Sequence, residues 1–305
     1  MQSLRRLGLA FCHRSFTMAS VEALGVRLRR RKLSPKQIFI ATTTLAVLLC
    51  SAALARRADG PPQRQRTVDL ELILAVDVSR SMSTQRLKLQ REGYVAAFRD
   101  PSVAQAIRSG PAGRIAVTYV EWSSSDIQST IVPWRILSSR NDARAFADDL
   151  ARHVTSRTRR TSISAMLGRA GEMFAVSGFR ALRRVVDISG DGPNNSGPPV
   201  AQARDSLVRQ GVIINGLPIM AWPEEHLGPR PVVKLDDYYR DCVIGGAGAF
   251  FIPVTGMRNF AKAVRMKLIL EIAARPPSFE RMRVIKAGLR TASVQSGSTL
   301  CNNVD

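Results

Sequence analysis

The residues that most constrain the fold are an apolar stretch and the polar residues directly after it. Leu70–Val76 is apolar at every position except Glu71, and such a run is typical of a strand buried on both faces of a parallel sheet. Asp77, Ser79 and Ser81 follow at alternate positions, so they leave the strand on one side of the backbone. Their oxygens suit a hard divalent cation. The alternative is a strand-to-turn junction in which these side chains cap backbone groups.

Two later segments carry similar chemistry. Arg159–Leu167 is predicted to be a loop that leads into an amphipathic helix, with Thr161 near its start. Arg183–Gly192 is predicted to be a second buried strand that ends in Asp191, an acid between two glycines. Because ligands gather at the carboxyl ends of strands in open α/β sheets, the three segments are expected to meet at one edge of the sheet.

In this order the motifs resemble the von Willebrand factor A (vWA) domain and its metal-ion-dependent adhesion site. That pattern is D-x-S-x-S after the first strand, a Thr on a second loop, and an Asp, usually in T-D-G, after the fourth strand. It maps onto Asp77, Ser79, Ser81, Thr161 and Asp191, although the last motif reads Ser-Gly-Asp-Gly here. With Asp237–Asp241, which reads Asp-Tyr-Tyr-Arg-Asp, the chain is similar to a bacterial vWA-like family of unknown function (DUF1194-type). The resemblance covers roughly residues 68–273.

The resemblance implies that these five side chains hold Mg²⁺, with Mn²⁺ or Ca²⁺ as alternatives. Ser79 and Ser81 would coordinate directly, and Thr161 directly or through water. Asp77 and Asp191 would hold the ion or its waters. In the vWA family one coordination position is left for a carboxylate of a protein partner. Since the site offers only two acids of its own, a third negative oxygen from outside would add affinity.

Strands and helices alternate along residues 68–273. Strands are predicted near residues 69–77, 114–122, 127–134, 182–189, 212–219 and 249–254, and helices near 85–98, 141–153, 162–174, 199–209, 236–242 and 259–272. This alternation predicts an α/β, Rossmann-like three-layer vWA fold with a mostly parallel sheet and helices on both faces. The short link 123–126 joins the second and third strands as a hairpin, which supplies one antiparallel edge strand.

The chain is strongly basic. Its net charge is +21, and residues 1–55, with nine Lys and Arg and one Glu, account for +8 of it, which leaves +13 for the rest. Such a balance favours acidic partners, anionic membranes or nucleic acid. We expect Arg80, Arg159 and Arg160 to form a positive rim that attracts an acidic protein surface; the alternative is a set of solvated arginines. A nucleic-acid partner is not predicted, because aromatic residues are only 6% and stacking motifs and zinc spacings are missing.

The N-terminus is typical of an export signal. Arg27–Lys32 is cationic, Ile38–Ala55 is uncharged and mostly apolar, and Ala53 and Ala55 suit a cleavage site. Residues 1–55 are therefore predicted to be a signal peptide or an uncleaved membrane anchor, and 56–67 a linker. The domain would be periplasmic or secreted, or else anchored in the inner membrane, with membrane contact only through this segment.

Two cysteines, Cys242 and Cys301, follow the signal. An oxidising compartment permits a disulfide between them, which would tie the C-terminal tail to the domain. Two unrelated thiols are the alternative. Residues 274–305, which contain Pro276 and Pro277 and then scattered Gly, Ser and Thr, are predicted to be a flexible tail.

Enzymatic patterns are weak. A haloacid-dehalogenase-type phosphatase needs D-x-D after its first strand, but Ser79 holds the second position. Serine hydrolysis needs a base oriented on a nucleophile, and only His153 and His226 follow the signal. G-x-S-x-G and Walker sequences do not occur. Asp187 and Glu121, which lie within predicted strands, are expected to be hydrogen-bonded structural acids.

The sequence therefore predicts a non-enzymatic, exported vWA-like domain that mediates divalent-cation-dependent protein–protein interaction. Two alternatives stay open. One is an accessory subunit of a periplasmic cofactor-insertion or enzyme-maturation complex, and the other is a vWA fold with a vestigial metal site. The sequence does not determine the partner, the oligomeric state or the biological process.

Overall fold

The computed structural model describes residues 66–155, 158–220, 234–256, 259–273, 285–286 and 301. The predicted signal or anchor, residues 56–65 of the linker and most of the tail lie outside these residues. The strands are β1 (Arg66–Asp77), β2 (Ile115–Trp122), β3 (Gln128–Leu137), β4 (Phe179–Gly190), β5 (Val212–Pro218), β6 (Phe250–Phe251) and β7 (Ile285–Lys286). The helices are α1 (Thr84–Arg99), α2 (Pro101–Arg108), α3 (Arg140–Ala151), α4 (Ile163–Ala175), α5 (Val200–Arg209), α6 (Leu235–Tyr238) and α7 (Phe260–Ala273). Among the described helices none is long and apolar enough to cross a membrane.

All seven strands form one sheet in the order β3-β2-β1-β4-β5-β6-β7. Neighbouring strands from β2 through β6 are parallel, and β3 pairs with β2 in the antiparallel direction. The predicted parallel sheet with one antiparallel edge strand is therefore confirmed. The two-residue strand β7 adds a short antiparallel pairing at the opposite edge.

The central position of β1 explains its apolar sequence. From Val68 to Asp77 every residue is buried. Leu72 and Leu74 belong to the core on one face of the sheet, and Ile73 and Ala75 to the core on the other. Burying each large aliphatic side chain contributes about 1.5–3 kcal/mol, so a strand covered on both faces requires an apolar residue at nearly every position.

Helices cover both faces, as the three-layer prediction requires. One face packs against α1, α2, α3 and α7. The other face packs against α4, α5 and α6. It also packs against the π-helical turn Tyr239–Val243, which directly continues α6.

The start of one helix differs from the prediction, and another helix was not predicted. Helix α3, predicted from residue 141, begins at Arg140 after the cap Ser139, because Ser139 and Asp142 exchange hydrogen bonds in a capping box. Helix α2 was not predicted, although Asp100 caps it and Pro101 occupies its first turn, which is a recognised start signal. Its eight residues are too few to give a clear periodic pattern.

The tail is attached at two of its described points. Cys301 is 1% exposed and forms a disulfide with Cys242, with the two Cα atoms 5.6 Å apart. Ile285 and Lys286 pair with β6. Of the two alternatives for the cysteines, the structure has the disulfide that ties the tail to the domain, and Cys301 belongs to the core cluster that includes residues of α4 and α5.

The chain order places a topological switch between β1 and β4. From β1 the chain moves outward through β2 to β3, and it then returns through α4 to β4 and moves outward on the other side. At such a point the two connections leave in opposite directions and open a crevice at the carboxyl ends of the strands. Asp77 ends β1, and Asp191 directly follows β4.

Candidate metal centre

Asp77 is held rigidly at the end of β1. Its side chain is fully buried, and Oδ1 accepts a 2.7 Å hydrogen bond from the backbone N–H of Ser79. The side-chain amide of Gln90 on α1 donates to the Asp77 carbonyl oxygen at 3.2 Å. The second carboxylate oxygen, Oδ2, is buried and makes no hydrogen bond within the described part of the chain. A buried carboxylate oxygen without a partner is costly and calls for a cation, a proton or water.

The β1 and β4 loops meet through side-chain oxygens. The hydroxyl oxygens of Ser79 and Ser81 lie 3.0 Å apart, and the Ser81 hydroxyl donates to Asp191 Oδ1 at 2.5 Å. Residues that are 110 positions apart in the chain are thereby joined. Ser79, Ser81 and Asp191, which the sequence indicates as candidate ligands, are therefore brought together by the fold, and Asp77 joins them through the backbone N–H of Ser79.

Arg86 lies beside Asp191, which sequence reasoning missed. Its guanidinium, in the first turn of α1, is 3.1 Å from Asp191 Oδ2, and the two side chains are 6% and 2% exposed. Ser83 caps this helix by accepting from the backbone N–H of Arg86, which fixes the position of the turn. Nothing in the sequence near Arg86 signals this contact.

The loop of Thr161 runs against both of the other loops. The backbone N–H of Thr158 donates to the Val78 carbonyl at 3.0 Å. The N–H of Thr161 donates to the side-chain oxygen of Asn195 at 2.9 Å, and its carbonyl accepts from the Asn195 N–H at 2.8 Å. Thr161 is 3% exposed. These backbone contacts bring its loop to the site, whereas a ligand role for the hydroxyl is a proposal.

A buried asparagine fixes the loop after β4. Asn194 is fully buried, and its side-chain oxygen accepts from the backbone N–H and the hydroxyl of Ser164, in the first turn of α4. Its own N–H donates to the Tyr238 hydroxyl at 3.1 Å. The loop that carries Asp191 is thus held from α4 and from the Tyr238–Tyr239 segment.

Burial makes the two acids difficult to ionise. Loss of solvent, followed by the nearby charge of Asp191, raises the pKa of Asp77 to about 7. Burial also raises the pKa of Asp191, although hydrogen bonding from Ser81 and the charge of Arg86 oppose the rise. Two carboxylates crowded in a buried site are the environment that a divalent cation relieves.

The donor set fits a hard cation that retains water. It combines the carboxylates of Asp77 and Asp191, the first of which includes the orphaned Oδ2, with the hydroxyls of Ser79 and Ser81. Within the described ranges no group of three or more His, Cys, Asp or Glu side chains forms an all-protein cage. An ion here would therefore depend on hydroxyls and water beside its two acids, which suits Mg²⁺ chemistry.

The rim arginines reach the surface near these loops. Arg80, Arg159 and Arg160 are all exposed. Arg80 lies between the two serines, and the other two directly precede Thr161. Their exposure agrees with a positive rim and with simple solvation alike.

Two strand acids have structural partners, as predicted. Asp187 is buried against Lys267 of α7 at 2.7 Å. Glu121 accepts from the Thr155 hydroxyl at 2.6 Å and lies 3.2 Å from His153 Nε2. Both acids are thereby engaged away from the serines.

Comparison with known proteins identifies one sequence family. A family profile described as "Protein of unknown function (DUF1194)" matches residues 67–276. The sequence matches no curated protein.

Solved structures provide remote similarities. Proximal thread matrix protein 1 from the mussel byssus is 14% identical, with a TM-score of 0.49 over 68% of this chain and 49% of that chain. A von Willebrand factor type A protein from Catenulispora acidiphila is 14% identical, with a TM-score of 0.45 over 68% and 43%. BatB from Bacteroides thetaiotaomicron is 17% identical, with a TM-score of 0.39 over 68% of this chain and 100% of that chain. The matched regions span less than half the length of the first two proteins.

Proposed function

Because the chain belongs to the DUF1194 family and has a vWA-like fold, we propose that it binds a protein partner through a divalent cation at the carboxyl ends of β1 and β4. The observation that carries the proposal is the junction of Ser79, Ser81 and Asp191 beside the unpartnered Oδ2 of Asp77. Oxygen atoms from two distant loops converge on one buried carboxylate, which is the arrangement that a hard cation requires.

Each residue has a proposed part in holding the ion. Ser79 and Ser81 supply neutral hydroxyl oxygens, and Thr161 supplies a third directly or through water. Asp77 and Asp191 supply negative charge, either to the ion or to its waters. Mg²⁺ is the proposed cation, with Mn²⁺ or Ca²⁺ as substitutes. When bound, the cation offers one position to an oxygen of the partner.

The charge balance of the site favours an acidic partner. Two carboxylates and the Arg86 guanidinium leave one net negative charge, which a divalent cation turns into one net positive charge. A carboxylate side chain of a partner protein neutralises this charge, whereas a neutral ligand does not. The exposed arginines Arg80, Arg159 and Arg160 extend the positive field outward.

The proposed role is recognition without catalysis. A hydrolytic serine needs a base within hydrogen-bond reach. The described contact of His153 is with Glu121, and the Ser81 hydroxyl is directed to Asp191. These contacts support binding chemistry at the serines.

Export of the domain remains part of the proposal. The disulfide between Cys242 and Cys301 supports an oxidising compartment, since such bonds persist mainly outside the cytosol. We retain 1–55 as signal or anchor, 56–67 as linker and 68–273 as the domain. Free thiols at both cysteines in protein isolated from its native cells would contradict export.

Calorimetric titration of the purified protein with Mg²⁺ and Mn²⁺ tests the cation site. We expect saturable binding that is lost in Asp77→Ala and strongly weakened in Ser79→Ala. Matched controls are Asp126→Ala and Ser129→Ala, which change exposed residues of the β2–β3 hairpin and should bind like the unaltered protein. Equal heats for all five proteins would show a vestigial site.

A pull-down from native extract, with and without chelator, tests the partner. We expect a protein that is retained with Mg²⁺ and released by chelator, and that is not retained by Asp77→Ala. Retention that is independent of chelator and of Asp77 would separate partner binding from the cation.

A further inference from the structure

Of the two tyrosines in the Asp-Tyr-Tyr-Arg-Asp segment at 237–241, only Tyr238 has a contact with the site described so far, and the hydroxyl of Tyr239 has no assigned role. Tyr238 and Tyr239 are fully buried. The Tyr238 hydroxyl accepts from the N–H of Asn194 in the loop after β4. The first tyrosine therefore already supports the loop that carries Asp191.

The Tyr239 hydroxyl borders the same space as the orphaned oxygen of Asp77. A Cβ atom built on Gly190 would lie 3.0 Å from Asp77 Oδ2 and 3.0 Å from the Tyr239 hydroxyl oxygen. Both oxygens are buried and make no hydrogen bond among the described residues. A donor and an acceptor, neither of them hydrogen-bonded among the described residues, thus lie at the same short distance from one point beside Gly190, at the end of β4.

Glycines on two adjacent strands make room for this ring. A Cβ on Gly216 of β5 would lie 2.6 Å from Cδ1 of Tyr239, so the ring passes directly over that residue. At Gly190 the same ring reaches the end of β4 with its hydroxyl. Close approach of a side chain to the backbone is a common reason for glycine within a strand.

The backbone of Tyr239 is fixed from several directions. Its carbonyl accepts from the N–H of Ile244 at 3.0 Å, which closes the π-helical turn. Arg204 of α5 donates to the carbonyls of Asp241 and Cys242 at 2.8 and 3.1 Å. Cys242 is also bonded to Cys301. π-Helical turns are frequent at functional sites, and the contacts of this one anchor the backbone that carries the Tyr239 ring.

We propose that Tyr239 is a positioning residue of the cation site, whose hydroxyl donates to Asp77 Oδ2 or to a water bound there. The inference rests on the proposed function and extends it. Asp77 Oδ1 is already engaged by the N–H of Ser79, so Oδ2 is the oxygen that a second donor orients. Outer-shell donors of this kind fix the direction and basicity of a ligand. A buried hydroxyl without a partner is costly, which the ion-loaded site relieves.

Removal of the hydroxyl alone tests the proposal. Tyr239→Phe keeps the ring and its packing over Gly216. We expect its Mg²⁺ and Mn²⁺ dissociation constants, measured by calorimetry, to rise about 10- to 100-fold, the usual effect of losing an outer-shell partner. The melting temperature in chelator should be unchanged. Tyr94→Phe is the matched control, because Tyr94 is equally buried but lies on α1, and its affinity should equal that of the unaltered protein.

A spectroscopic measurement separates positioning from packing. Titration with Mg²⁺ should perturb the near-ultraviolet absorption of a tyrosine in the unaltered protein and in Tyr94→Phe, and the perturbation should be lost in Tyr239→Phe. Gly190→Ala gives a second variant, since its methyl carbon would lie 3.0 Å from both Asp77 Oδ2 and the Tyr239 hydroxyl oxygen. It should weaken cation binding even if Tyr239→Phe fails to fold.

The outcomes distinguish this inference from the function on which it rests. If the unaltered protein binds no cation, the proposed function fails. If it binds and Tyr239→Phe binds equally well with the same spectral change, the inference is overturned and the cation site stands. Unchanged affinity in a folded Gly190→Ala variant would also overturn it.

Discussion

At the scale of single residues, Arg86 sets the electrostatics of the candidate site. Its guanidinium occupies the Oδ2 side of Asp191 while Ser81 donates to Oδ1, so both oxygens of this acid are engaged before any cation arrives. A divalent cation must therefore share Asp191 with a fixed positive charge. We therefore expect the arginine to lower the affinity of the proposed site for a cation and to make the loaded site more attractive to an anionic ligand.

We expect Arg86→Gln to bind Mg²⁺ more tightly and a partner carboxylate more weakly. Loss of the competing charge should lower the Mg²⁺ dissociation constant about three- to tenfold, a change of about 1 kcal/mol. Titrations at pH 8 keep proton competition small, since burial raises the pKa of Asp191. Arg99→Gln, at the far end of the same helix and paired on the surface with Asp148, is the control. Weaker Mg²⁺ binding in Arg86→Gln would show instead that the arginine orients Asp191.

The sequence indicated the proposed ligands more clearly than the residues that contact them, for a physical reason. Asp77, Ser79 and Ser81 form a local pattern directly after a buried strand, so a set of oxygen donors can be recognised there from the sequence alone. Arg86 and Tyr239 act on ligands that are 105 and 162 positions away in the chain. Only the strand order brings them there. The Asp-Tyr-Tyr-Arg-Asp motif contributed to the family resemblance, but the sequence alone assigned no role to its hydroxyls. Their positions beside Gly190 and Asn194 are visible only in the folded structure.

At the scale of elements, buried charges join α7 to the sheet. Lys267 forms an ion pair with Asp187 of β4 at 2.7 Å and contacts Glu271 one turn further along its own helix. Asn215 of β5 donates to Glu271 at 2.9 Å, and Arg183 donates to the Glu271 carbonyl. Two acids thus share one lysine in a buried space. The excess negative charge is unfavourable there, and burial raises the pKa of Glu271 to about 7, with the charge of Asp187 adding to the rise.

This cluster predicts a pH-dependent effect of Glu271→Gln. An unfolded Glu has a pKa of 4.5 and the folded one about 7, so between these values the folded protein binds more protons. The free energy of unfolding therefore falls as pH rises through this window. Glutamine remains neutral and can still accept from Asn215, and Lys267 keeps Asp187. We expect the variant to match the unaltered protein near pH 4.5 and to be more stable by about 1–3 kcal/mol at pH 8.

Denaturant unfolding at both pH values measures this difference. Glu172→Gln is the control, because that acid is exposed on α4 and its removal leaves the buried cluster unaltered. A stability difference for Glu271→Gln that is the same at both pH values would contradict the raised pKa.

The accuracy of element prediction followed the strength of the periodic signal. The apolar core strands were predicted close to their observed bounds, because a strand covered on both faces needs a long apolar run. β6 is shorter than predicted, with two residues in place of six, although Ile252 and Val254 beyond it still donate hydrogen bonds to the carbonyls of Gly216 and Pro218. β7 was missed, since two residues of edge pairing leave no pattern in the sequence.

At the scale of the whole molecule, the question is whether the rim arginines act as a local feature or only as part of the total charge. The chain beyond residue 55 carries a net +13, so any acidic protein is attracted to it. Surface charges are screened beyond about 8 Å at physiological ionic strength. A rim beside the cation site therefore orients a partner only if its charges lie near the contact.

Charge reversal at two matched positions separates these possibilities. Arg159→Glu with Arg160→Glu changes the rim. Arg180→Glu with Arg209→Glu makes the same change in net charge at exposed positions near the start of β4 and the end of α5. These positions lie at the amino-terminal ends of the parallel strands, opposite the proposed cation site. With the partner captured in the chelator-dependent pull-down, we expect the rim pair to lower the association rate on the order of tenfold at low salt. It should also flatten the dependence of that rate on salt concentration.

The Arg180→Glu, Arg209→Glu pair should have the smaller effect on both the association rate and its salt dependence. Its charges lie at the other end of the strands from the proposed contact, well beyond the screening distance. The dissociation rate should change little in either protein, since exposed rim charges act mainly on the encounter. Equal reductions by the two pairs would mean that total charge alone attracts the partner, and the rim hypothesis would then be wrong. Because neither pair alters a proposed ligand, Mg²⁺ affinity should be nearly the same in both, which separates steering of the partner from binding of the ion.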